Sequence, residues 1–133
     1  MTRSKFVENF TGFIQQAVRL NGKAKEYGIS SLENEVEDLD DEDFKHGLRL
    51  IIDEVDAAII DEIYSNKIAF AKGTYERRYK TILKRAVLGI QEGLNTRILV
   101  YVLFSYAGLT RSEQREIEYI VIRDSPGSDD SET

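Results

Sequence analysis

Apolar residues recur at helical spacing along most of this chain, and no proline precedes Pro126 to interrupt it. A spacing of three or four residues places side chains on one face of an α-helix, whereas a half-buried strand requires alternation. Because internal proline kinks or ends a helix, its absence permits long helices. The pattern predicts an all-α fold, a small bundle of about four helices that includes a long antiparallel helical hairpin.

The first helix is expected near the N-terminus, where six apolar residues share one face: Phe6, Phe10, Phe13, Ile14, Ala17 and Val18. Asn21, Gly22 and Gly28 are expected to weaken this helix, since both residue types have low helix propensity. From Glu33 to Asp43, eight of the eleven residues are acidic. This run predicts a solvated connection on the surface.

A second helix is expected from about Asp41, with a buried stripe of Leu48, Ile51, Ile52, Val55, Ile59 and Ile63. Gly73 predicts the end of this second helix. Thr74 is the predicted N-cap of a long third helix that continues to Leu94. Seven basic residues between Lys67 and Arg85 follow the acidic second helix. We interpret them as the facing side of the hairpin, the alternative being a basic strip for an acidic partner or a membrane surface.

The C-terminal part of the chain predicts two further features. Thr110 and Glu113 form the T-x-x-E capping box that opens a helix, and Gly108 ends the preceding element. The uncharged run Ile98 to Leu109 has twelve residues, whereas a membrane span needs about 20, so it predicts a buried core helix. Residues 1–123 are expected to form one helical domain, and the polar, acidic residues 124–133 a disordered tail.

Composition excludes several classes of function. Cysteine is absent, so neither a disulfide framework nor a thiolate metal site is expected. A net charge of −6 argues against nucleic-acid binding, which depends on clustered basic residues. No secretory signal precedes the first acidic residues, which favours a cytoplasmic protein.

Candidate catalytic and metal-binding patterns are also missing. His46 is the only histidine, and the run from Asp38 fails the calcium-loop pattern because Asp43 stands at the glycine position and Arg49 at the glutamate position. No phosphate-binding glycine loop, nucleophile elbow or zinc motif occurs. We therefore predict no enzyme activity, no metal and no cofactor.

Two segments share their order and spacing with a known family. They are KAKEYGISSLENEVE (23–37) and FKHGLRLIIDEVDAAIIDEIY (44–64). They resemble the cytoplasmic domain of the flagellar motor stator subunit MotA, of the MotA/TolQ/ExbB family, where G-x-x-x-L-E precedes a phenylalanine and G-L-x-L-I-x-D-G-x-D. The matching positions are Gly28, Leu32, Glu33, Phe44, Gly47, Leu48, Leu50, Asp53 and Asp56. The likeness covers about residues 5–85, with Glu54 in place of a glycine of the family.

The resemblance implies a protein-interaction module that touches the rotor through charged residues, and Lys25 and Glu33 occupy the matching positions. The implied partner is the rotor switch protein, a stator subunit or a second copy of the chain. Ion conduction is not expected, because the sequence at 90–93 is IQEG where the family has the pore motif P-A-F-G, and the family's membrane spans are missing or degenerate.

Two alternatives remain at this point. The first is a self-associating scaffold protein in which the Ile98 to Leu109 helix packs against its copy. The second is peripheral membrane attachment through the same segment together with the basic strip.

Overall fold

The computed structural model describes residues 1–124, with side chains described through Val121. These residues contain seven α-helices, one short 3-10 helix and no strand, which confirms the all-α class. The helices are α1 (Arg3–Tyr27), the 3-10 helix (Ile29–Leu32), α2 (Glu33–Val36), α3 (Glu42–Ile52), α4 (Ala57–Phe70), α5 (Thr74–Glu92), α6 (Thr96–Ala107) and α7 (Arg111–Asp124). Apart from Asp124, the predicted disordered tail lies outside the described residues.

Helix α1 is the central element of the core. The Thr2 hydroxyl caps its first turn, and all six residues of its predicted apolar face are buried. The helix packs against α5, α6 and α7. The expected weakening at Asn21 and Gly22 is wrong, because α1 continues to Tyr27. The Asn21 side chain is fully buried and donates hydrogen bonds to the Leu94 carbonyl oxygen at 2.9 Å and the Thr96 hydroxyl at 3.0 Å.

The predicted second helix is broken into α3 and α4, and this is the main correction to the sequence analysis. At the end of α3, Glu54 N–H donates to the Ile51 carbonyl and Val55 N–H donates to the Leu50 carbonyl. This pair of bonds is a Schellman C-cap, which requires a left-handed residue, here Glu54 with φ of 62°.

The break also changes which face of α4 is buried. Ile60 and Tyr64 point inward, at 0% and 1% exposure, whereas Ile59 of the predicted stripe is 48% exposed. A helical stripe continues in register only while the helix is uninterrupted, so the phase deduced from α3 does not carry over to α4.

Helix α5 confirms the predicted third helix and buries Ile82, Leu83, Ala86, Val87 and Ile90. Its N-cap is Gly73, one residue before the predicted Thr74. Helix α4 packs along α5, but the long hairpin with an unbroken second helix does not form. Residues 1–124 contain seven α-helices where about four were expected, because the predicted second helix is divided into α3 and α4 and the predicted connection contains the short helix α2.

Helices α3, α4 and α5 approach closely at Gly47. A Cβ atom at this position would lie 2.6 Å from Val87 Cγ2 and still closer to the Tyr64 hydroxyl oxygen. Tyr64 is buried, and its hydroxyl donates a 2.5 Å hydrogen bond to the Asp43 carbonyl oxygen. Only glycine fits this crossing without displacing buried atoms.

The junction of α6 and α7 follows the prediction. Gly108 ends α6 in the left-handed conformation. The Thr110 hydroxyl accepts a hydrogen bond from Glu113 N–H, and the Glu113 carboxylate accepts one from Thr110 N–H, as the capping box requires. Ile117 and Val121 lie on the inner side of α7 and are buried.

Candidate functional site

The two residues predicted to bind a partner lie on either side of the turn that ends α1. Lys25 is exposed in the last turn of α1, and its Nζ donates a hydrogen bond to the Gly93 carbonyl oxygen at 2.9 Å. Glu33 is exposed as the first residue of α2, and its carboxylate makes no ion pair or hydrogen bond with another residue of the range 1–124. A role for either residue in partner binding stays a prediction.

Neighbouring charges of this region are used to hold α1 in place. Arg19 and Lys23 both donate to the Glu35 carboxylate of α2 at 2.9 Å. These hydrogen bonds, from Lys23 first and then Arg19, lower the pKa of Glu35. Asn21 and Lys25 instead face the turn between α5 and α6. The C-terminal half of α1 is therefore fixed from two sides, which leaves Glu33 as an uncommitted charge beside it.

The predicted contact between the acidic and basic segments is present inside the molecule. Asp43 accepts from Lys67 at 3.0 Å and from Lys80 at 2.6 Å, and Lys84 pairs with Asp61 at 2.9 Å. Burial alone would raise the pKa of Asp43, but the hydrogen bonds from Lys80 and Lys67 outweigh it and lower that pKa. These pairs link α3, α4 and α5, so much of the basic segment serves the fold.

The most conspicuous exposed surface is an apolar face of α4, formed by Ile59, Ile63 and Phe70. At 100° per residue the three side chains fall within about 40° of one another around the helix axis. Phe70 is 85% exposed and Ile59 48%, whereas Ile63 is partly buried. We refer to these three residues as the α4 face.

A neighbouring side of α4, about 100° around the helix axis from the α4 face, is fully occupied. Ile60 and Tyr64 fill the core on that side, where α4 packs along α5. A helix that is apolar on both sides is normally buried on both sides. The described residues therefore leave the α4 face partly uncovered.

Helix α6 shows a second, weaker surface of this kind. Leu99, Leu103 and Phe104 are buried, as the prediction of a core helix requires. Its outer side carries Ile98 at 46% exposure and Tyr101 at 55%. The predicted buried helix is therefore buried on one side only, and neither Ile98 nor Tyr101 is as exposed as Phe70 of the α4 face.

Sequence reasoning missed Phe70. The predicted stripe of the second helix stopped at Ile63, and Phe70 lies seven residues further on. The available signal was the composition of Ala57–Phe70, in which apolar residues occur on all sides of the helix. Such a helix needs cover on all sides, and the periodicity of a single stripe does not reveal it.

Other kinds of site have no support within residues 1–124. No group of three or more His, Cys, Asp or Glu side chains is placed to hold a metal ion. His46 is exposed on α3. In the same range, no helix combines the length and apolar character that crossing a bilayer requires.

Comparison with known proteins assigns no family to this chain. No family model matches it, and neither the curated proteins nor the solved structures give a significant match.

Proposed function

We propose that this protein is a non-enzymatic, cytoplasmic protein-interaction module whose partner docks on the α4 face. The observation that carries the proposal is the 85% exposure of Phe70, on the same side of α4 as the half-exposed Ile59 and the partly buried Ile63. An aromatic side chain that can be buried by a partner contributes strongly to binding, whereas it gives the isolated fold almost nothing. Phe70 makes no ring contact with the other described residues, so its ring is free to contact a partner.

The resemblance to the stator cytoplasmic domain suggests the partner. Where that family has glycine after the matched aspartate, this chain has Glu54, and Glu54 adopts the left-handed conformation that favours glycine. A glycine would adopt this conformation without strain, which supports the register of the resemblance. A rotor switch protein is accordingly the first partner to test, with Lys25 and Glu33 as the charges that would direct encounter.

Self-association is the second candidate, and the outer side of α6 favours it. Ile98 and Tyr101 are both about half exposed on the segment predicted to pack against its copy. Light scattering on the eluting peak of a gel-filtration column distinguishes a 15.2 kDa monomer from a dimer. A dimer that Tyr101→Ser converts to monomer would favour self-association, and a wild-type monomer at high concentration would remove it.

The test of the first candidate is calorimetric titration with the torque-bearing domain of the rotor switch protein from the same organism. Phe70→Ser should weaken binding by about 2 kcal/mol or more, as for a buried aromatic anchor. Tyr101→Ser is the matched control, an exposed aromatic on another helix, and should bind as the wild type does. Equal binding by wild type and Phe70→Ser would remove the α4 face from the proposal.

The role of the charges needs a separate set of variants. Lys25→Glu and Glu33→Lys should each weaken binding, and the loss should be greater at low salt because exposed charges are screened at high salt. Glu62→Lys reverses an exposed charge on α4, and it tests whether the bound partner reaches this position of the helix. Charge reversals without effect would leave the apolar face as the whole determinant.

A further inference from the structure

A groove lies between α1, the N-terminus of α3 and α5, far along α1 from Lys25. Its volume is about 290 Å³. The groove exists because Gly12 interrupts the row of side chains on α1, and a Cβ atom added there would meet nothing within 4 Å. This volume is large enough for one long side chain.

The floor of the groove is aromatic. Phe13 packs edge to face against Phe44, with ring centroids 4.8 Å apart, and against Tyr79 at 6.0 Å. Phe13 and Phe44 are almost fully buried, whereas Tyr79 is partly exposed. The Tyr79 hydroxyl makes no hydrogen bond with the rest of the described chain. The Tyr79 ring is therefore the part of the floor that a ligand can reach, and such a ring attracts an organic cation that lies against it.

The rim of the groove is acidic. Glu8, Asp40 and Asp41 line it, and none of its lining residues within 1–124 is basic. Asp41 also accepts the Phe44 N–H bond that caps α3. Asp40 has no ion pair in the described chain, and Glu8 pairs only with exposed Lys5 at 3.7 Å.

The negative potential of this rim extends onto the floor. Burial raises the pKa of the Tyr79 hydroxyl, and the charge of Asp41 raises it further. The aromatic floor and the carboxylates therefore share one small space in which a cation would be favoured and an anion repelled.

We propose that this groove binds an arginine or lysine side chain of a basic protein segment. The aliphatic stem would lie over Gly12, and the cationic head would lie against the Tyr79 ring near the rim carboxylates. The net charge of −6 would attract such a segment before contact. This site is separate from the α4 face, and it does not depend on the function proposed above.

Fluorescence anisotropy of a labelled octa-arginine peptide tests the proposal with a matched pair of variants. Gly12→Leu fills the groove, whereas Gly22→Leu adds the same side chain to the same helix at another position where nothing lies within 4 Å of the new Cβ. Both substitutions leave the net charge unchanged. Gly12→Leu should weaken peptide binding by about fivefold to tenfold, and Gly22→Leu should leave it unchanged.

A second pair of variants tests the charges. Asp40→Asn with Asp41→Asn removes two rim charges, and asparagine at position 41 still caps α3. Glu26→Gln with Glu62→Gln removes two exposed charges elsewhere. The first double variant should weaken binding more than the second, by a factor that falls at high salt.

Three results would overturn the proposal. The first is that the wild type does not bind octa-arginine. The second is that the two leucine variants bind the peptide with equal affinity. The third is that the two charge-neutralised double variants lose the same amount of affinity. Circular dichroism of each variant establishes that it is folded. Phe70→Ser should bind octa-arginine as the wild type does, so a failure of this proposal and a failure of α4 docking give different results.

Discussion

Gly47→Ala should destabilise the protein by about 2 kcal/mol, although alanine is the better helix former. The new methyl group would lie 2.6 Å from Val87 Cγ2 and closer still to the Tyr64 hydroxyl. Both neighbours are buried, with exposures of 0% and 1%, so neither can move outward into solvent. The added volume must be accommodated by shifting packed helices.

The magnitude follows from three contributions. Overpacking a rigid core costs about 1–3 kcal/mol. Displacing Tyr64 weakens its hydrogen bond to the Asp43 carbonyl, which contributes about 1 kcal/mol. Replacing glycine within a helix contributes about 1 kcal/mol in the opposite direction.

Urea unfolding followed by circular dichroism measures this effect. A loss of about 2 kcal/mol lowers the urea midpoint by roughly 1 M for a domain of this size. Gly12→Ala is the control, because its Cβ meets nothing within 4 Å, and it should raise stability by about 1 kcal/mol. If Gly47→Ala matched that control, the close approach of the three helices would be refuted.

A double-mutant cycle identifies the colliding atom. Tyr64→Phe removes the hydroxyl oxygen and should cost less in the Gly47→Ala protein than in the wild type. The expected coupling is about 0.5 kcal/mol or more. Additive losses would mean that the methyl group is accommodated without contact with Tyr64.

Three further predictions concern electrostatics, backbone conformation and a buried amide. Asp43→Asn should destabilise the protein at pH 7. Since its ion pairs lower the pKa of Asp43 below its ordinary value of 3.8, their contribution is present above that pH and lost as pH falls through the folded-state value. The stability difference from wild type should therefore shrink as pH falls below about 4, and a difference in urea unfolding that stays constant over this pH range would contradict the prediction. Glu54→Gly should stabilise by about 1 kcal/mol because glycine adopts the left-handed conformation without strain, whereas Glu62→Gly within α4 should destabilise by about as much. Asn21→Ala should cost about 2 kcal/mol, since it removes a fully buried amide that donates to the Leu94 carbonyl and the Thr96 hydroxyl, and an unchanged melting temperature would contradict that role.

The helical class and several helix ends could be predicted from sequence, because local chemistry determines them. The residue types at Thr110 and Glu113 are those of the capping box that opens a helix. Gly108 readily adopts the left-handed conformation that ends one. The buried face of α1 follows from the regular spacing of large apolar residues, and its packing confirms that reasoning.

The break between α3 and α4 could not be predicted from local propensity. Glu54 is not a residue that favours a left-handed turn, and the apolar pattern on both sides of it is compatible with one continuous helix. Tertiary contacts stabilise the turn instead, since Gln91 of α5 donates a 2.8 Å hydrogen bond to the Val55 carbonyl oxygen. The exposure of Phe70 depends on the helix phase after this break, so the α4 face was missed for the same reason.

The groove beside Gly12 also depends on tertiary structure. Phe13 and Phe44 were each recognisable as apolar positions, but their edge-to-face contact joins helices 31 residues apart in the chain. The acidic run to Asp43 was predicted to be a solvated surface. Part of it instead caps α3, pairs with lysines and lines the groove.

Methyl NMR of protein labelled at the isoleucine δ1 positions tests the central claim most directly. Titration with the torque-bearing domain of the rotor switch protein should shift the Ile59 and Ile63 signals of the α4 face and leave Ile98 of α6 in place. Saturable shifts confined to Ile59 and Ile63 are the predicted result. Shifts at Ile98 alone, or at none of the three methyl groups at any partner concentration, would contradict docking of this partner on the α4 face.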